Sequence, residues 1–202
     1  MPKQKIITEY RHYTLPISFP VLILDEDRLK ISDEKAEYLH FHNCLEIGIC
    51  HSDSGYLEVN GKVFEFNAGD MICIPRNFVH TTYSKPGVRS EWSYIFLDTD
   101  ELFKGLLANS DFFDQFTTMA SNFKCIIYRD EYPELHYLVH SILKENKHQK
   151  TGYLSNIRAF LLATCIEIMR IQETYTKENI NNDVVHNDNL LVISPALNYI
   201  YR

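Results

Sequence analysis

The sequence predicts a mixed chain, mainly β in its first half and helical in its second. Two observations predict the first half: short runs rich in β-branched and aromatic residues follow one another closely from residue 39 to residue 97, and Asn-Gly, Gly-Asp or Pro-Gly pairs separate them. The third is the change after Asp98, where apolar residues begin to recur at helical spacing. Closely spaced strands of this kind close into a barrel or sandwich and not a parallel sheet.

Phe19 to Leu24 reads as a first strand with both faces covered, flanked by Pro16, Pro20 and the charged stretch Asp25 to Arg28. A polar segment from Ile31 leads to the stretch around which the chain is organised. His40, His42 and Glu46 share one strand parity, so an extended strand would present all three on one face. Leu45, Ile47 and Ile49 alternate with Glu46, Gly48 and Cys50, a pattern suited to lining a cavity. Tyr56–Val59 and Val63–Phe66 form a hairpin across Asn60-Gly61, because both turn residues tolerate positive φ. A turn at Asn67–Asp70 precedes the strand Met71–Ile74, which Pro75 ends; Phe78–Tyr83 carries His80, and Glu91–Leu97 completes the β region. Trp92, Tyr94 and Phe96 share a face, either as a stacking wall or as core.

In the second half, Asp98, Thr99 or Asp100 caps a helix containing Leu102, Phe103, Leu106 and Leu107. Cys125–Tyr128 is a short strand, and a second helix runs from Pro133 to His148. The third helix spans about Tyr153 to Tyr175, with Ile157, Phe160, Leu161, Thr164 and Ile168 on one side. Because its remaining face is also apolar, these five are candidate dimer contacts, against the alternative of a helix sandwiched in its own domain. Residues 177–193 have linker composition, and Ser194-Pro195 begins a helix that stops at Arg202, as in a fragment cut just inside another domain.

The net charge of −7 and pI near 5.7 argue against DNA binding by this chain alone, since such affinity rests on Lys and Arg neutralising phosphates. Five scattered cysteines flanked by apolar residues suit reduced thiols in the cytoplasm. No apolar run reaches the roughly 20 residues that cross a bilayer. His40, His42, Glu46 and His80 offer imidazole and carboxylate donors suited to zinc, nickel, iron or manganese. His51, of opposite parity, is expected outside the barrel, and His136, His140 and His148 on an exposed helix face. Arg76 is expected in solvent.

The order H-x-H-x-x-x-E, then G-D-x-x-x-I-P-x-x-x-x-H, resembles the two motifs of the cupin superfamily. His40, His42 and Glu46 fall on the first motif, and Gly69, Pro75 and His80 on the second. Residues 45–80 with the following EWSYIFLD resemble the N-terminal sensing domain of AraC-family transcription regulators, and ISPALNYI resembles the opening of that family's helix-turn-helix domain. The resemblance implies a cupin-like jelly-roll barrel at 1–98, a helical dimerisation region at 99–176, a linker at 177–193 and the truncated start of a DNA-binding domain at 194–202. It implies a small effector, a sugar or other metabolite, inside the barrel against His40, His42, Glu46, His80, Trp92 and Tyr94, with no catalytic residue. No cofactor is required by that reading, although the ligand set accepts a divalent metal. It further implies a homodimer that meets DNA only through the absent domain. The sequence departs from metal-dependent cupins at Arg76-Asn77, where a glycine usually precedes the histidine. A metal-dependent cupin isomerase or dioxygenase is the competing expectation.

Overall fold

The computed structural model describes residues 7–36, 38–106 and 123–178. Ten strands form two five-stranded sheets. One has the order β1 (Ile7–Arg11), β3 (Tyr38–His42), β8 (His80–Ser84), β5 (Ser54–Val59), β6 (Lys62–Asn67). The other runs β10 (Ile126–Ile127), β7 (Met71–Ile74), β4 (Leu45–Cys50), β9 (Ser90–Leu97), β2 (Val21–Ile31). All pairings are antiparallel except β1 with β3. Among the described residues three helices follow: α1 (Thr99–Leu102), α2 (Pro133–His148) and α3 (Tyr153–Glu178).

Local chemistry sets the turns. Asn60 and Gly61 take φ of 47° and 80° between β5 and β6, the conformation of a two-residue hairpin. At Gly69, φ is 95°, and the Asp70 N–H closes the turn onto Asn67 O at 3.0 Å. Asp98 caps α1 by accepting from the backbone of Asp100 and Glu101. Pro133 opens α2, where its missing N–H costs nothing.

The two sheets are used differently. Strand β5 alternates between half-exposed and buried residues, as expected where one face meets water, whereas every residue of β4 and β7 is buried. Pairing explains the difference. Glu46, Gly48 and Cys50 lie opposite Phe96, Tyr94 and Trp92, so this set faces the barrel interior; Ile47 and Ile49 face the other way, under the helices. One continuous core runs from Phe66 and Trp92 inside the barrel through Ile47 and Ile95 to Val139, Ile142, Leu161 and Ile168.

Several expectations need correction. The strand expected at 19–24 extends through Ile31, with a break in its pairing to β9 between Leu24 and Leu29 that sets Asp25–Arg28 apart from the ladder. Strand β1 has no counterpart in the sequence reading. The first helix is a single turn, with Leu106 exposed beyond it and Leu107 outside the described residues. On α3, Ile157, Leu161, Thr164 and Ile168 are at most 1% exposed within the single chain. They have no surface to offer a partner, and of the five expected contacts only Phe160 is half-exposed. The linker beyond Glu178 and the terminal helix lie outside the described residues.

Candidate functional site

His40 and His42 do not share a strand with Glu46. Strand β3 ends at His42, a corner at Asn43-Cys44 carries the chain into the other sheet, and Glu46 is the second residue of β4. The two motifs nevertheless converge, because the barrel closes at this corner. His80 opens β8 opposite His40, and the two rings lie with centroids 4.2 Å apart. The His42 and His80 rings meet edge to face at 5.0 Å.

Donor atoms of His42, Glu46 and His80 all fall within 4.8 Å of one another, and all three residues are buried. His42 Nε2 is 2.9 Å and His80 Nε2 3.5 Å from Glu46 Oε2. The other ring nitrogens are committed: His42 Nδ1–H donates to Cys44 O and His80 Nδ1–H to Phe78 O, each at 2.9 Å. Once Nδ1 holds the proton, a neutral imidazole presents a lone pair at Nε2. Two lone pairs would then face a carboxylate oxygen, an arrangement that needs positive charge, either as protons on the rings or as a bound cation. Burial works to raise the Glu46 pKa, but the hydrogen bonds from His42 and His80 overcome it and hold the carboxyl well below the usual range. His40 stands beside this group and outside the tight triad. Burial first, and then the charge of His80, push its pKa down to about 2.

The second motif's departure from glycine is accommodated. Asn77 takes φ of 68°, a left-handed conformation that asparagine tolerates, and its N–H donates to His42 O at 2.8 Å, tying the β7–β8 turn to the end of β3. Arg76 is half-exposed and pairs with Asp100 at 2.9 Å.

Trp92, Tyr94 and Phe96 stack along β9, with neighbouring centroids 5.7 and 5.9 Å apart. Trp92 is remote from the triad in this ladder: it meets Phe66 edge to face, and its Nε1–H donates to Ser90. The Tyr94 ring lies over Gly48, where an added Cβ would sit 2.9 Å from Tyr94 Cε1. The ladder is therefore packed as core along most of its length, and only Phe96 reaches the histidines, 5.8 Å from His42.

Sequence reasoning missed Tyr13. Its ring stacks on Phe96 at 4.2 Å and meets His42 edge-on at 5.8 Å. Its backbone exchanges hydrogen bonds with the Asn43 side chain, which fixes the segment after β1 across the barrel corner. Burial, with Glu46 nearby, raises its phenol pKa to about 12. A tyrosine in an unpatterned N-terminal segment gives no periodic signal; the reciprocal Asn43 contact is visible only in three dimensions.

Two interleaved sheets carrying this histidine–glutamate group define a cupin-type barrel with an attached helical region. The chain belongs to the AraC-like ligand binding domain family, whose model matches residues 32–145, more than half of its length. Solved structures similar to it include a Cupin 2 conserved barrel domain protein from Salinispora arenicola CNS-205 (16% identity, 52% of this chain and 87% of that chain, TM-score 0.34). A cupin protein from Bacteroides fragilis matches at 18% identity over 44% of this chain and 67% of that one, TM-score 0.33. A predicted oxalate decarboxylase from Thermotoga maritima matches at 22% identity over 35% and 62%, TM-score 0.32. Among curated proteins, none matches this sequence. No helix among the described residues is long and apolar enough to cross a membrane.

Proposed function

We propose that this chain is the effector-sensing module of an AraC-type transcription regulator, and that a small polar metabolite, of which a sugar is the leading class, is recognised at the His42–Glu46–His80 end of the barrel. The observation that carries the reading is the family match over a barrel in which the buried ionisable side chains His42, Glu46 and His80 gather at that end. Imidazole and carboxylate groups there can exchange hydrogen bonds with hydroxyls, and the ring faces of Phe96 and Tyr13 offer an apolar wall beside them. Trp92 and Tyr94 then act through the ladder and not by direct contact. The module works as a homodimer, in the cytoplasm, and reaches DNA through an attached helix-turn-helix domain whose presentation shifts with effector binding.

The reading is of a regulator and not an enzyme. A second reading, a metal-dependent cupin isomerase or dioxygenase, is favoured by the converging lone pairs. A divalent zinc, nickel, iron or manganese ion would be held by His42, Glu46 and His80, and would supply Lewis acidity there. A metal at this site is also compatible with effector recognition.

Trp92 is the single tryptophan, and through Tyr94 and Phe96 it is coupled by stacking to the triad. Titration with neutral monosaccharides, followed by tryptophan emission, should give a saturable change in the wild type that His80→Gln loses. A saturable change untouched by that substitution would put recognition elsewhere. Elemental analysis of protein purified without added metal separates the readings: stoichiometric iron, nickel or manganese would favour the enzyme.

A further inference from the structure

Outside the barrel interior, a second group of histidines gathers where β4, β9 and the β2 break meet α2. We infer that His51, His136 and His140 form a binding site for one divalent transition-metal ion of the zinc or nickel class, at the seam between barrel and α2. The inference is independent of the triad and goes beyond the regulator reading.

Strand parity and helix periodicity build this group. His51 follows β4 with the parity of Ile47 and Ile49, so it leaves the barrel on the helix-covered side. His136 and His140 are one helical turn apart on α2, the spacing that lets two imidazoles on one helix face share a zinc ion. Their rings are 4.4 Å apart at the centroids, and the His140 ring is 6.3 Å from that of His51. Outside the barrel is therefore not outside the protein: His51 and His136 are half-buried, while His140 is exposed and leaves an entry path.

Hydrogen bonds prepare the rings as ligands. Ser93 Oγ–H donates to Asp25 Oδ1 at 2.5 Å, so the same hydroxyl accepts from His51 Nε2–H at 2.6 Å. His51 Nδ1 is left with the lone pair, and the carboxylate behind the hydroxyl strengthens it as a donor, as outer carboxylates do at metal centres. His136 Nε2 is buried with no hydrogen-bond partner. A buried ring nitrogen without a partner is costly, and a metal ion satisfies it. Burial lowers the pKa of His51 and His136, which keeps them neutral and able to ligate.

Charge around the seam is mixed. Arg28 and Arg129 face the group from β2 and from the segment before α2, and Asp25, Asp70 and Glu91 oppose them. Among the described residues only the triad has three donor atoms within 4.8 Å; His140 already lies beside both His136 and His51, so ion capture here requires side-chain rotations that also bring the His51 and His136 donors toward each other. Bound metal would clamp α2 to the barrel and make the helix's attachment responsive to metal supply.

The test is equilibrium dialysis of the full, chelator-stripped chain against micromolar zinc chloride, with bound zinc measured by elemental analysis. His140→Gln and the double variant His136→Gln/His140→Gln should each bind one zinc fewer than the wild type. His148→Gln, an exposed histidine of the same helix, should bind as much as the wild type, and zinc should raise the wild-type melting temperature more than that of His140→Gln. Because His140 is exposed, its loss leaves folding intact. Equal zinc in the wild type and the double variant, no zinc in the wild type, or loss of all zinc in Glu46→Gln alone would overturn the proposal.

Discussion

At Glu46 a buried carboxylate is held ionised by hydrogen bonds from His42 and His80. The linkage to stability follows from the direction of each shift. Glu46 titrates below its unfolded value of 4.5, so its contribution is complete above that pH and is lost as the pH falls through it. His40, lowered to about 2 by burial, works in the same sense: below 6.5 the unfolded chain takes up a proton that the native ring refuses. Urea midpoints of the metal-free protein should therefore fall from pH 7 to pH 5 and more steeply below 4.5. A flat profile would contradict the burial of these groups. At Leu161, fully buried in the common core, truncation to alanine should cost about 2–5 kcal/mol in urea unfolding, while Leu154→Ala, 42% exposed on the same helix, should cost little.

Elements differ in how tightly the sheets press on them. At Gly55 in β5, an added Cβ would lie 2.3 Å from Tyr83 O and 2.5 Å from Phe66 Cζ, and the first neighbour is backbone that cannot swing away. Gly55→Ala should cost about 3 kcal/mol or more, or prevent folding. Gly61→Ala, with nothing within 4 Å but a φ of 80°, should cost only about 1–2 kcal/mol; comparison of the two denaturation midpoints checks this. Strands β4 to β9 were legible in sequence because alternation and turn residues are local signals. The corner after His42 was not, since Asn43-Cys44 contains neither glycine nor proline, and its reversal of direction depends on the sheets packing together. For the same reason parity put His51 on the right side of the strand without revealing that α2 covers that side. The dimer contacts expected on α3 failed on a similar point: an apolar face shows that a helix is covered, and only packing shows by what.

For the molecule as a whole, one core joins barrel and helices, so the described region should unfold in a single transition, monitored by both Trp92 emission and helical circular dichroism. Under the proposed function, sensing would work by moving elements against one another: an occupant that shifts Phe96 or Tyr13 at the triad would act on the same core that holds α2 and α3. The most direct test of the account is capture of small molecules from a metabolite extract by immobilised wild type and by Glu46→Gln, identified by mass spectrometry. The account predicts at least one compound enriched by the wild type, released with unchanged mass, and lost from the variant. Equal retention by both proteins, or conversion of the compound by the wild type, would contradict it.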